Sequence, residues 1–497
     1  MSFAVLLLGL SALSGDLSPP LAADPTAIRP LQQDSWDTLR AKLGVAIDEE
    51  RFEDALLLTK ALLAHPDSAA LSEADRVPFL WLQALLNMQL DRPAAAVPAL
   101  ESITAAPDAS REQWTTLLDA YSRTHDLNGA ARTLTEILTR YPSAAEDFYD
   151  LFVLQLSGSP ELDEDVGFRL REALHRSGWV NDNASWVWLK LVDDYIDRDR
   201  AADAAPVVAR VISPSARLQL FAMRRYDAVR PAGAALDIDA AWAGEITLAR
   251  KEADKAEATI EARNRLASDL LATDRLDEAL AVVDAILAAP EPPADTSDAE
   301  NYTWTLNTRS RILMAMNRGD EAVAQQQAAA ARSEYGSPNV SQQINLGWTW
   351  LRLDRPQEAF DAVKDIETER SLSPFGKMQA WQVRACAARG VGDLAVAEAA
   401  EAQITEHWKD APIAAYEAAA CREDEAEMAR ILVEALGDAE TAPQIVDLMH
   451  DYLDREPTAW DQRMAAQHHR VVARPEVIAA RDAIGRPFTV PTRGPQF

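Results

Sequence analysis

WTTLLDAYSRTHDLNGAARTLTEILTRYP, residues 114–142, holds two helical patterns joined by one turn. Trp114, Leu117 and Tyr121 recur at i, i+3 and i+7, which lays them along one face of a first helix. Beyond Asp126-Leu-Asn-Gly129, the small Ala130 begins a second pattern, continued by Leu134 and Ile137. Pro142 ends it, because proline lacks the N–H that a helix interior needs. Each helix buries one stripe. A small residue at the head of the second helix lets the two backbones approach closely.

The same arrangement recurs. The pentapeptides are Arg51-Phe-Glu-Asp-Ala55, Arg92-Pro-Ala-Ala-Ala96, Arg200-Ala-Ala-Asp-Ala204, Arg275-Leu-Asp-Glu-Ala279, Arg318-Gly-Asp-Glu-Ala322 and Arg355-Pro-Gln-Glu-Ala359. Ala279 to Ala322 is 43 residues, Ala322 to Ala359 is 37, and Ala130 to Ala204 is 74, or two units of 37. Trp188, Leu191 and Tyr195 repeat the first-helix pattern. Ala279, Val283 and Ile286 repeat the second, as do Ala359, Val363 and Ile366. Pro66, Pro107 and Pro290 close other units.

These positions resemble the tetratricopeptide repeat (TPR) family, a first and second helix in about 34 residues. Trp114, Leu117, Tyr121, Ala130, Leu134, Ile137 and Pro142 match the family pattern in spacing, and Trp188 to Val211 matches nearly as well. Gly347 supplies the family's Leu-Gly pair with Leu346, Trp350 stands where the family has Tyr, and Trp381 opens another unit with Ala397 as its small residue. The resemblance spans roughly residues 35–440. It implies an all-α, right-handed superhelical solenoid of antiparallel helix pairs, about eleven to thirteen in number. Proteins of this family are non-catalytic scaffolds that bind a protein or peptide along a concave groove.

The array is irregular in the middle. Residues 144–180 carry a degenerate copy, and Arg224-Arg-Tyr-Asp-Ala228 follows Ala204 too soon, which points to a break across 210–262. The expected organisation is an N-terminal solenoid half over 24–290, a Pro-rich loop or hinge at 291–298, a C-terminal half over 299–470, and a Pro-containing tail over 471–497 that ends as an extended segment. Length alone would suggest three globular domains, but a repeat array can be one body.

Residues Phe3 to Leu13 read FAVLLLGLSAL, too short for a membrane span and suited to a secretory signal. Cleavage after Ser14 or Ala23 fits, although no Lys or Arg precedes Arg29. The alternative is a buried N-terminal helix. The favoured reading is export, to the bacterial periplasm or beyond. The 79 acidic against 49 basic residues give a net charge of −30, which argues against nucleic acid and against an anionic membrane surface.

Chemistry is sparse. There is no nucleophile elbow, no phosphate loop and no His-Glu-Xaa-Xaa-His, so no catalytic residue, metal or cofactor is expected. His468-His469 reads as a solvated helix end rather than a metal site. Cys386 and Cys421 are 35 residues apart, about one repeat. Equivalent helices pack about 10 Å apart, and a disulfide needs Cα atoms within about 7 Å. Two buried free thiols are therefore expected. The acidic runs Glu161–Asp165 and Glu423–Glu425 lack the spacing of a calcium loop and read as solvated helix starts. Asn183, Asn301 and Asn339 head short glycosylation patterns.

Thirteen Trp is generous for a repeat scaffold. Residues two apart on a helix cannot share a stripe. With Trp188, Trp350 and Leu306 in core positions, Trp186, Trp348 and Trp304 face elsewhere. The resemblance places these three on the groove-lining side of the first helices, together with Arg123, Arg311 and Arg352. Aromatic and Arg side chains dominate binding hot spots, and Arg pairs bidentately with carboxylates. The family's carboxylate clamp is not implied, because Thr115 and Asp119 stand where it has Lys and Asn. A second reading makes the Trp side chains sugar-stacking platforms of an envelope-polysaccharide-associated subunit.

Overall fold

The computed structural model describes residue 31 and residues 34–494, apart from 232, 294–295, 335–336, 367–371 and 454–457. The expected signal, 1–23, lies outside them, as do two residues of the Pro-rich stretch 291–298. The chain forms two compact units, Met1–Arg210 and Val211–Phe497. The Pro-rich stretch falls inside the second unit.

The first unit stacks α1 (Trp36–Asp48) on α2 (Phe52–Leu63), α3 (Glu73–Gln89) on α4 (Pro93–Thr104), and α5 (Arg111–Arg123) on α6 (Leu127–Arg140). It continues with α7 (Asp150–Gly158), α8 (Glu164–Arg176), α9 (Ser185–Asp197) and α10 (Ala201–Val208). The second unit holds α11 (Pro214–Ala222), α12 (Ile238–Ala253), α13 (Ile260–Ala272), α14 (Leu276–Leu287), α15 (Ser297–Ala315) and α16 (Gly319–Ala330). Next come α17 (Val340–Arg352), α18 (Pro356–Val363), α19 (Pro374–Val391), α20 (Leu394–His407), α21 (Pro412–Cys421) and α22 (Glu425–Leu436). It ends with α23 (Ala442–Leu448), α24 (Ala459–Val472) and α25 (Pro475–Ile484). Helices of a pair pack on each other and on the next pair, the helical stack that the TPR resemblance implies.

One turn builds nine of these pairs. Glu50, Asp91, His125, Asp199, Asp274, Asn317, Asp354, Gly392 and Glu423 all have left-handed backbone, the non-glycine residues at φ between 55° and 60°. Each lies five residues before Ala55, Ala96, Ala130, Ala204, Ala279, Ala322, Ala359, Ala397 or Met428. The next backbone N–H reaches back five residues, as in Arg92 to Asn87 (2.8 Å) and Arg275 to Leu270 (2.8 Å), the bond that closes a left-handed helix end. Asp and Asn tolerate this conformation better than most residues, so the turns need little glycine.

The pentapeptide follows from the same geometry. Its Arg sits just past the turn and, where an acid stands three residues on, pairs with it, as in Arg200–Asp203 and Arg275–Glu278, both at 2.7 Å. That acid also lies in the first turn of the second helix, where the dipole favours it. The Arg355 guanidinium lies 4.0 Å from the ring centre of Trp350. The Ala is buried against the first helix; Ala55, Ala96, Ala204, Ala279, Ala322 and Ala359 have no exposed surface. Gly347 serves the same end from the other side. A Cβ there would stand 2.6 Å from Val383 Cγ1, closer than packed atoms come.

Among the described residues the pairs α7/α8 and α11/α12 lack this turn. In the first of them a buried ion pair takes over. Arg171 Nε donates to Asp194 on α9 at 2.7 Å, and its Nη1 donates to the Ser157 carbonyl on α7 at 2.9 Å.

Two expectations need correction. Cys386 and Cys421 form a disulfide with Cα atoms 5.4 Å apart. They are not equivalent positions: Cys386 lies 11 residues before Ala397, and Cys421 lies 7 before Met428. His468 is buried rather than solvated, with its Nδ1 2.8 Å from the Tyr416 hydroxyl. Pro475 takes the first position of α25, where its missing N–H removes no helix bond. Beyond it, β2 (Thr489–Val490) runs parallel to β1 (Asp451–Tyr452). Arg493 pairs with Asp274 at 2.6 Å and donates to the Ala272 carbonyl. The C-terminal chain thus returns to helix ends of its own unit.

Candidate functional site

The six expected groove residues divide between the units. Trp186 on α9 and Arg123 on α5 lie in the first, with α6, α7 and α8 between their helices in sequence. Arg123 is committed locally, to Asp91 and, at 3.8 Å, to Asp119. Trp186 is 52% exposed. Trp304 and Arg311 on α15, with Trp348 and Arg352 on α17, lie in the second unit.

These two helices are the first helices of consecutive pairs. Asn345 Nδ2 on α17 donates to Asn307 Oδ1 on α15 at 3.1 Å, and Asn264 on α13 donates to the Asn301 carbonyl at 3.0 Å. A row of amides therefore ties the first helices together, and Gln326 extends it through Gln342 Oε1 at 2.9 Å. Buried amides cost stability unless bonded, so such a row fixes which helix face meets which.

Trp304 and Arg311 stand seven residues apart on one face of α15, about 10 Å along its axis. Trp304 is 39% exposed. Trp348 is half-buried against the core cluster that contains Val340, Ile344 and Trp350. Arg311 is exposed and has no ion pair among the described residues. Surrounding protein lowers its pKa from the usual arginine value, and neighbouring Arg352 adds to that. A side chain that water reaches and protein surrounds occupies a recess, not a flat surface.

Arg352 is already engaged. Its Nε and Nη2 grip both oxygens of Asp461 on α24, at 2.8 and 3.0 Å. Asp461 also closes the N-terminal cap of α24 with Thr458. The expected bidentate Arg–carboxylate contact exists, with a carboxylate of the same chain. Two residues beyond Asp461, Arg463 reaches Asp354 at 3.3 Å. Between this face of α24, the disulfide and the turns at Asp354 and Glu423 lies a cavity of about 410 Å³.

Burial shifts several acidic and imidazole groups. Asp269 is pushed up to about 7 by burial, with Glu245 adding to the effect and Arg265 opposing it. Glu245 keeps Arg265 as its ion-pair partner. Burial also raises Glu417 to about 7, against a hydrogen bond from Gln382. His468 is pushed down to about 4, chiefly by burial. Among the described residues no group of three His, Cys, Asp or Glu side chains could hold a metal ion. Asp424 caps α22 by accepting from the Glu427 N–H at 3.0 Å, so that acidic run is a helix start. Asn339 is buried and caps α17, accepting from Gln342.

The carboxylate that occupies Arg352 was not legible. Asp461 lies 109 residues away and reads in sequence only as an acid in a first turn. The amide row had a signal: Asn307, Gln342 and Asn345 interrupt apolar helices at inward positions.

No protein-family model matches the chain, and no curated protein does. Among solved structures, the chain is similar to one described as "Crystal structure of APC/C hetero-tetramer Cut9-Hcn1", with 11% identity and a TM-score of 0.29, covering 92% of this chain and 98% of that one. That score is too low for any inference about site or function. No helix among the described residues is long and apolar enough to cross a membrane.

Proposed function

We propose that the protein is an exported, non-catalytic scaffold that binds a protein or peptide partner along the first helices α15 and α17. A paired-helix stack suits protein–protein interaction in general. The observation that carries the finer reading is Arg311, an exposed arginine without an ion pair among the described residues, in a chain of net charge −30. Beside Trp304 it combines a planar carboxylate binder with an aromatic anchor, the pairing that binding hot spots favour. The Arg352–Asp461 contact is an internal example of the chemistry expected there. Export is supported by the Cys386–Cys421 disulfide, which persists in oxidising compartments.

Affinity capture from the native cell envelope, followed by mass spectrometry, tests the reading. Trp304→Ala with Arg311→Glu should lose a protein that the parent captures, with helicity unchanged. Equal capture by both would overturn it. The exposure of Trp186 and Trp304 favours a second reading, with these rings stacking on an envelope polysaccharide. A glycan array separates the two.

A further inference from the structure

The cavity beside the disulfide has one wall from a single face of α24. Trp460, Arg463, Met464 and Gln467 stand at i, i+3, i+4 and i+7, one stripe of that helix, and all four line the space. Further walls come from three first helices near their C-terminal ends, through Leu351 on α17, Arg389 on α19 and Cys421 on α21. At about 410 Å³ the cavity falls within the usual range of small-molecule pockets, about 300–1,000 Å³.

Its polar groups are unevenly satisfied. Arg389 donates through Nε and Nη2 to Glu401, at 3.1 and 2.6 Å, and Arg463 pairs with Asp354 at 3.3 Å. Glu423 has no ion pair among the described residues, but it is exposed, where water screens its charge. Gln467 is different. It is 7% exposed, and its amide makes no hydrogen bond among the described residues, with Oε1 buried. Trp460 Nε1 is likewise buried without a partner among them. Buried polar atoms nearly always have partners, so this pair asks for one.

The two groups ask for opposite things. An indole N–H only donates, and an amide oxygen only accepts. A ligand ammonium only donates and a carboxylate only accepts, so neither answers both. A hydroxyl does both, and neighbouring hydroxyls on one ring can do so at several points. Leu351, Pro356 and Met464, also in the lining, suit the C–H faces of such a ring. An anion would also meet Glu423 and the field of a −30 chain.

We propose that this cavity binds an uncharged monosaccharide, held by the Gln467 amide and the Trp460 indole N–H. The site is separate from Trp304 and Arg311 and does not depend on the reading given to them.

Saturation-transfer NMR on the full chain tests it, with D-glucose, D-galactose, D-mannose and N-acetyl-D-glucosamine as probes. Cyclohexanecarboxylate, cyclohexylammonium and acetyl-alanine amide are the controls. At least one sugar should bind with a Kd of about 1 mM or tighter. Gln467→Leu should weaken that binding about tenfold, with circular dichroism unchanged. Arg463→Trp sets an indole at a half-exposed position of the lining and should abolish it. Trp304→Ala with Arg311→Glu should bind the sugar as the parent does, which separates this site from the one on α15. If Gln467→Leu loses helicity, Arg463→Trp decides. A parent that binds no sugar, or binds only the controls, would overturn the proposal, since water then satisfies the amide and the indole. Equal sugar binding by parent, Gln467→Leu and Arg463→Trp would place the sugar elsewhere and overturn it too.

Discussion

Replacing Glu417 with Gln should change how stability depends on pH. Burial pushes the Glu417 carboxyl up to about 7, against 4.5 in an unfolded chain. Between those values the folded protein holds a proton that the unfolded chain has lost. Stability therefore falls as pH rises through this window and is flat above it. At about 1.4 kcal/mol per pH unit, the window spans on the order of 3 kcal/mol. The local bonding agrees. Gln382 Oε1 is buried without a partner, and a neutral carboxyl carries the O–H it lacks. Glutamine cannot ionise, so the variant should lose this slope. His450 and His468 are pushed down to about 4 and act in the opposite direction, losing stability as pH falls from 6.5. They are common to both proteins, so the difference between variant and parent isolates Glu417. Urea unfolding by circular dichroism at pH 5, 6, 7 and 8 should show that difference shifting towards the variant by on the order of 3 kcal/mol. Parallel curves would refute the reasoning.

Arg352→Ala leaves Asp461 buried without its cation and should destabilise the contact with α24 by about 3–5 kcal/mol. Hydrogen exchange in residues 459–472 should then accelerate; unchanged exchange would contradict the role given to this pair. Gly347→Ala drives a Cβ to 2.6 Å from Val383, and overpacking of this kind costs about 1–3 kcal/mol, measurable as a lower urea midpoint. The Cys386–Cys421 bond should appear as an intact mass two hydrogens below that of the reduced chain. Cys386→Ser with Cys421→Ser should lower stability by roughly 2–4 kcal/mol.

The repeat was legible because one pentapeptide carries three physical requirements. Arg275-Leu-Asp-Glu-Ala279 follows the turn residue, pairs its own ends across the first helical turn, and places a small side chain where two helices touch. Trp114, Tyr121, Trp188 and Trp350 were legible as core for the same reason, since their spacing already lays them on the buried stripe. What stayed hidden depends on contacts between distant segments. The disulfide was missed because it joins positions offset by one helical turn. The return of the C-terminal chain was missed because Asp461 and Arg493 carry no local mark of Arg352 and Asp274. The site was half legible. Periodicity excluded Trp186 and Trp304 from the core, and they are exposed. It could not say that Arg123 and Arg352 have acidic partners or that Arg311 has no ion pair among the described residues.

A photo-crosslinking residue in place of Trp304, expressed in the native host, tests the central claim most directly. The account predicts a discrete protein adduct whose yield collapses when Arg311→Glu is added, with the helical content of the chain intact. No protein adduct, or one that forms equally well with Arg311→Glu, would contradict it.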